Sequence, residues 1–245
     1  MMKVSAIITC RYEGQLLVSA LRSAAASIEA TAFSEECEII VVADRPSKTT
    51  LAVLETWRER LGMILPVDCG DLGTARNLGA AAARGELILL LDGDDLWCRN
   101  WVAAAWGAHR QEPDRTILHP QLALFFGRDP QVLVHADSRD PYFDPRSLIV
   151  QNAWISLCGV QRKMLLENPF PKADSSRALG YEDWSWYADG MGRGVSHAVV
   201  PETVHFIRQK RLYSLQETMR AHGRIPSLAF AEYLAADCAT RPYDL

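Results

Sequence analysis

A chain of 245 residues can bury a full core and fits one large α/β domain, or such a domain with a small appendage. Apolar residues make up 49% and charged residues 23%, which excludes a disordered or low-complexity chain. A formal net charge of −4 leaves no basic footprint, so no nucleic-acid partner is expected. The apolar run that opens the chain is broken by Arg11 and Glu13, too soon for a signal peptide, and no window approaches the ~18 consecutive apolar residues of a membrane span. The expectation is a cytoplasmic protein whose membrane contact, if any, is peripheral at the inner face. Its six cysteines show no C-x-x-C spacing and read as free thiols.

In chain order, Val4 to Thr9 is a β-rich run with Cys10-Arg11-Tyr12-Glu13-Gly14 as its exit loop. Leu16, Leu17, Ala20, Leu21 and Ala24 recur at helical spacing as far as Ile28. Cys37 to Ala43 is a second apolar strand ending at Asp44, and strand–helix–strand forms a right-handed crossover that brings Asp44 to the same sheet edge as the first loop. A helix follows from Lys48 or Thr49 to Leu61, then a weak strand at Leu65-Pro66-Val67. Asp71 or Thr74 caps the next helix, which holds Arg76, Asn77 and the small residues Gly79 to Ala83 and ends at Gly85. Leu87 to Leu91 is five apolar residues in a row, a strand buried on both faces as in the middle of a parallel sheet. Beyond it the pattern predicts a helix over Trp101 to His109, strands at Thr116–Leu118, Gln121–Phe126, Val132–Val134 and Ala153–Val160, and a short helix from Gln161 to Glu167. A helix start within Leu179–Tyr187, strands at Val195–Val200 and Thr203–Ile207, and a helical tail from Leu212 complete it.

Three carboxylates, Asp92, Asp94 and Asp95, arrive at the C-terminal end of the central strand, the edge where open α/β sheets bind ligands. Gly93 lets the backbone turn between them. Hard divalent cations take carboxylate oxygens, and Mg²⁺ commonly takes one or two with water and phosphate in the remaining positions. An acidic turn that merely ends a strand is the other reading. Glu182 and Asp183 are adjacent, so on a helix they diverge by about 100° and cannot both address one group. They can equally serve as acids at a helix N-terminus.

Taken together, several segments resemble the family-2 glycosyltransferases of GT-A fold: Val4–Thr9 with its Tyr12-Glu13 loop, Cys37–Asp44, Ala75-Arg76-Asn77-Leu78-Gly79, Ala83-Arg84-Gly85-Glu86, Asp92-Gly93-Asp94-Asp95, Glu182-Asp183-Trp184 and Phe206-Ile207-Arg208. The likeness runs over about residues 3 to 215, in order. It departs from the family pattern at Ala43, where an acid is usual, and at Arg45-Pro46-Ser47, which replaces Gly-Ser. The resemblance implies an α/β fold, a GT-A-type doubly wound mixed sheet flanked by helices. It divides the chain into a catalytic domain over 1–215, with a nucleotide-binding half over 1–100 and an acceptor-binding half over 101–215, and a short helical tail over 216–245.

The implied activity is inverting, metal-dependent transfer of a sugar from a nucleotide donor, most commonly a UDP-sugar, to a hydroxyl of a saccharide or lipid-linked acceptor in polysaccharide or glycolipid assembly. By the same resemblance, Asp94 is the ligand of Mn²⁺ or Mg²⁺, with Asp92 beside it and His205 a further candidate whose plain alternative is a structural histidine. Thr9, Arg11, Glu13, Asp44, Arg76, Asp92, Gly93, Asp95 and Arg208 line the donor site, with Lys210 beside Arg208. Asp44 would accept from a nucleobase imide, or only cap its strand; Arg76 would meet the diphosphate or donor sugar, or be a surface charge. Asp183 is the base, Glu182 orients the acceptor, and Tyr181, Trp184 and Trp186 would stack on it unless they belong to the core. Two rivals keep the fold. A nucleotidyltransferase would want a Gly-rich basic loop after the first strand, which Cys10 to Gly14 does not provide. A non-catalytic nucleotide-sugar-binding module is the second.

Overall fold

The computed structural model describes residues 1–112, 115–173 and 180–210, together with Pro226. The proposed tail over 216–245 otherwise lies outside the described residues, and the described cysteines are all free. No described helix is long and apolar enough to cross a membrane.

The first half alternates strand and helix as its hydrophobic periods require: β1 (Val4–Cys10), α1 (Leu16–Glu29), β2 (Cys37–Asp44), α2 (Lys48–Trp57), β3 (Met63–Val67), α3 (Leu72–Ala82) and β4 (Leu87–Asp92). All seven residues of β1 are buried. Alternate side chains serve opposite faces of the sheet. Ala6 and Ile8 pack with Leu17 and Leu21 of α1, whereas Ile7 packs with Ala75 and Ala80 of α3. β3, β2, β1 and β4 lie side by side in parallel, with Thr9 opposite Asp92 and Asp44 opposite Val67. These parallel pairings put Thr9, Asp44 and Asp92 on one edge. α3 approaches that sheet closely because Gly79 has no side chain; a Cβ there would come within 2.7 Å of Ile7 Cγ2 and 2.9 Å of Val42 Cγ2. The close fit carries Arg76, one turn earlier, in against the end of β4.

The second half comprises β5 (Leu96–Trp97), α4 (Trp101–His109), β6 (Thr116–Phe126), β7 (Gln131–Val134), β8 (Gly159–Gln161), α5 (Arg162–Glu167), α6 (Glu182–Gly192) and β9 (Ser196–Arg208). Here the mixed character appears. The path β3-β2-β1-β4-β8-β6-β9-β5 makes β4 the seam, parallel to β1 on one side and antiparallel to β8 on the other, instead of the middle of a parallel sheet.

Three expectations change. The segments divided at Pro120 and at Pro201 are each one strand, because the register shift at Pro120/Leu122 is bridged by side chains: Thr203 Oγ1 accepts from Gln121 N (3.1 Å) and Gln121 Oε1 from Glu202 N (2.8 Å). The strand expected over Ala153–Val160 shrinks to Gly159–Gln161, since residues 153–158 run irregularly along the site. The helix of Arg76 ends at Ala82, and Gly85 serves close approach to β1, where a Cβ would lie 2.5 Å from Ser5 N.

A histidine cluster fills the junction of β6 and β9. His119 and His197 are fully buried and share a hydrogen bond, Nε2 to Nδ1, of 2.9 Å. His135 lies beside them, its Nδ1 donating to Pro120 O (2.7 Å) and its Nε2 accepting from Ile155 N (3.2 Å), and Trp154 stacks on His197 at 3.8 Å. Burial holds the His197 imidazole down at about 3 and that of His135 at about 4, against 6.5 in the unfolded chain. Below pH 6.5 the unfolded chain therefore takes up protons at these positions that the folded one refuses, and stability falls with pH. In His197→Gln that titration is absent. Whatever its cost at pH 7.5, urea unfolding should show the variant gaining on the wild type by roughly 1.4 kcal/mol per pH unit as pH drops below about 6.

Candidate active site

The acids are assembled by three strand exits and one helix start. Gly93 seats the turn after β4 directly beneath β1: its N–H donates to Thr9 O (2.8 Å), and a Cβ would lie 3.0 Å from that same oxygen. Gly93 does not take a positive φ, so the glycine serves close approach and not the turn angle. Thr9 Oγ1 donates to Asp92 Oδ1 at 2.8 Å. Arg76 Nη2 reaches both Asp92 oxygens, at 3.1 and 3.2 Å, and Ser156 Oγ at 3.0 Å. Its Nη1 lies 3.4 Å from Glu182 Oε1. The guanidinium is only 1% exposed and lies 5.5 Å from the centre of the Phe170 ring. Burial alone would lower its pKa, but Asp92, Glu182 and Asp183 outweigh that and hold it firmly protonated. Arg76 is thus not a surface charge. It is the link between the β4 acids and α6.

The acids after Asp92 look the other way. Asp94 Oδ2 pairs with Lys210 Nζ (3.0 Å) and Arg208 Nη1 (3.5 Å), while Asp95 Oδ1 accepts from Arg208 N (2.7 Å). β5 makes this possible by pairing Leu96 with Phe206 and Trp97 with His205, which ties the end of β9 to the acidic turn. Burial, then Asp92 and Asp94, push the Asp95 carboxyl well above its ordinary range. Glu13, whose side chain accepts from Arg11 N, is also raised, by burial first and with Asp94 contributing. Arg11 Nε is buried without a hydrogen-bond partner. Asp44 Oδ1 accepts from Cys69 N (3.0 Å) and Gly70 N (3.1 Å), so at least one of its oxygens caps a loop at the strand end.

On α6, Tyr181 stands at the N-cap with φ 54°, and the two acids behind it diverge. Glu182 is buried against Arg76, and burial, then Asp183, push its carboxyl up to about 7. Asp183 is less buried; its Oδ1 accepts from Trp184 N (2.8 Å) and its Oδ2 from Asn152 Nδ2 (3.4 Å). Burial raises its pKa, Arg76 opposes, and Asp92 adds to the rise, so the acids of α6 and β4 share one field across the guanidinium. Trp184 donates to Leu148 O (2.8 Å) and meets the Tyr181 ring edge-on at 5.8 Å. Trp186 is core, packed on Phe170. His205 is also core: it is fully buried, edge-on to Trp101 at 4.5 Å, with both ring nitrogens unpartnered. Its place in β9, facing α4, comes from the strand pairing with Trp97 and does not match a metal ligand beside Asp94. Asn152 and Ser156 were not anticipated. Their signal was a polar residue, Ser156, inside the apolar run Ala153–Val160, with Asn152 immediately before it.

A family model described as glycosyl transferase family 2 matches residues 5–154. The chain belongs to that family. Solved structures agree in fold. S. aureus TarS 1–349 in complex with UDP-GlcNAc superposes with a TM-score of 0.67 at 18% identity, over 100% of this chain and 68% of that one. The mannosyltransferase PcManGT from Pyrobaculum calidifontis, in complex with GDP-Man and Mn²⁺, gives 0.63 at 19% identity, over 97% and 64%. GalNAc-T7 with UDP, GalNAc and Mn²⁺ gives 0.61 at 15%, over 98% and 58%. No curated protein matches the chain in sequence. The family-2 chain is a glycosyltransferase of GT-A architecture.

Among the described residues no group of three or more His, Cys, Asp or Glu side chains stands ready to hold a metal. The donor set nevertheless fits a hard divalent cation held by one or two carboxylates, with water and substrate phosphate completing the shell. Asp94 and Asp95 are the acids of this turn not taken by the buried guanidinium, and Asp94 already attracts two cationic side chains.

The bridge can be tested on stability. Arg76→Met leaves two carboxylates facing each other without their cation and should lower unfolding free energy by about 3–5 kcal/mol. Adding Glu182→Gln should recover part of that loss in a double-mutant cycle by urea denaturation.

Proposed function

We propose that this family-2 glycosyltransferase moves a sugar, with inversion, from a nucleoside diphosphate sugar of the UDP type to a hydroxyl of a saccharide or lipid-linked acceptor, in polysaccharide or glycolipid assembly. The observation that carries the reading is the contact of Arg76 with both Asp92 and Glu182, which draws the β4 acids and the α6 acids into one site. Asp183 takes the acceptor proton as the oxygen attacks the anomeric carbon, and the bond from that carbon to the diphosphate breaks on the opposite face. Its partial exposure and raised pKa suit that task better than Glu182, which is committed to Arg76. Asp94, with Asp92 beside it, would hold Mn²⁺ or Mg²⁺, which when bound supplies charge relief on the leaving diphosphate. Asp44 addresses the nucleobase edge, while Arg11, Glu13, Gly93, Asp95 and Arg208 line the diphosphate and sugar. Thr9 and Arg76 act at one remove, by fixing Asp92. Tyr181 and Trp184 form the acceptor wall at the start of α6. The site works on the cytoplasmic side, with any membrane contact peripheral.

Asp94→Ala and Asp183→Asn should each reduce release of nucleoside diphosphate in the presence of Mn²⁺ and acceptor by at least about a hundredfold, with folding intact by circular dichroism. The acid limb of kcat/KM should lie above the usual carboxylate range, because a raised Asp183 must lose its proton to act. Near-wild-type turnover in Asp183→Asn would remove it as the base. Release of pyrophosphate instead would point to nucleotidyl transfer.

A further inference from the structure

We propose that Lys210 is the resident cation of Asp94 and is exchanged for a divalent cation when the donor is loaded, which frees its ammonium to meet the diphosphate. This rests on the nucleotide-sugar reading of the same site. Lys210 Nζ stands 3.0 Å from Asp94 Oδ2, and Arg208 Nη1 stands 3.5 Å from that same oxygen. A divalent ion bonds a carboxylate oxygen at about 2.0–2.2 Å, so it and the ammonium compete for one oxygen and repel each other there.

The exchange needs only a side-chain movement. The end of β9 is held at Arg208 N by Asp95 Oδ1 (2.7 Å), and Lys210 follows two residues later on a flexible four-carbon stem. Asp94 meets the ammonium directly, and Asp92 at the end of β4 and Glu13 after β1 add to the negative field around it. An ammonium set free from Asp94 keeps three N–H donors to offer a phosphate oxygen. Lys210 is thus a donor-site residue whose partner changes with occupancy.

Linkage gives the exchange a measurable form. Cation alone must displace Lys210 with nothing to receive it, whereas cation with nucleotide gives the ammonium a new partner, so the two ligands favour one another. Mn²⁺ binding can be read by electron paramagnetic resonance of the free ion and UDP binding by calorimetry. In Lys210→Met, Mn²⁺ alone should bind about fivefold or more tighter than to wild type, while the factor by which Mn²⁺ strengthens UDP binding should shrink. Lys163→Met, at an exposed site on α5, controls for the loss of one positive charge and should change neither. If wild type binds Mn²⁺ and UDP together but Lys210→Met binds Mn²⁺ alone no tighter than the control does, the exchange is overturned and the donor reading stands. If wild type binds neither ligand, the donor reading fails and the exchange with it.

Discussion

One guanidinium holds the two halves of this molecule to a common purpose. Arg76 is almost wholly withdrawn from water, yet it is flanked by carboxylates from β4 and α6, elements far apart in the chain. Burying such a charge is tolerable only when opposite charges and hydrogen bonds surround it, so the pairings with Asp92, Glu182 and Ser156 are conditions of folding. The converse also holds: without Arg76, Asp92 and the α6 acids would meet as like charges in a poorly solvated place. The site is thereby pre-assembled, with Asp92 aimed by Thr9 from below and by Arg76 from the side.

A second balance operates a few ångströms away. Asp94 and Asp95 receive their compensation from the end of β9, through two cationic side chains and one backbone N–H. This compensation is more accessible and looser than that of Asp92, with the Lys210 and Arg208 side chains 35% and 32% exposed. The contrast separates rigid positioning by Arg76 from replaceable neutralisation by Lys210 within a single acidic run.

Much of this was legible in the residues. Continuous apolar runs at β1, β2 and β4 can only be strands covered on both faces, and their parallel register follows from the helices between them. That placed Thr9, Asp44 and the Asp92–Asp95 turn on one edge before any coordinates. Capping chemistry was equally local: Asp71 accepts from Thr74 N at 2.7 Å, as the spacing suggested. What lay beyond reach depended on contacts across the chain. Arg76 read as an exposed charge or a ligand, because its burial is produced by the approach of α3 at Gly79 and by α6 closing from the other side. His205 looked available until the short β5, only two residues long and without a pattern of its own, turned out to pair with it and bury it. Asn152 and Ser156 lay at the start of, and within, an apolar run whose irregular path no periodicity announces.

The hydrogen bond from Arg208 N to Asp95 spans 113 positions, and its consequence is temporal. A ribosome delivers the acidic turn long before it delivers the strand that neutralises it. The contacts that close this rim can form only after the chain has been made as far as Arg208.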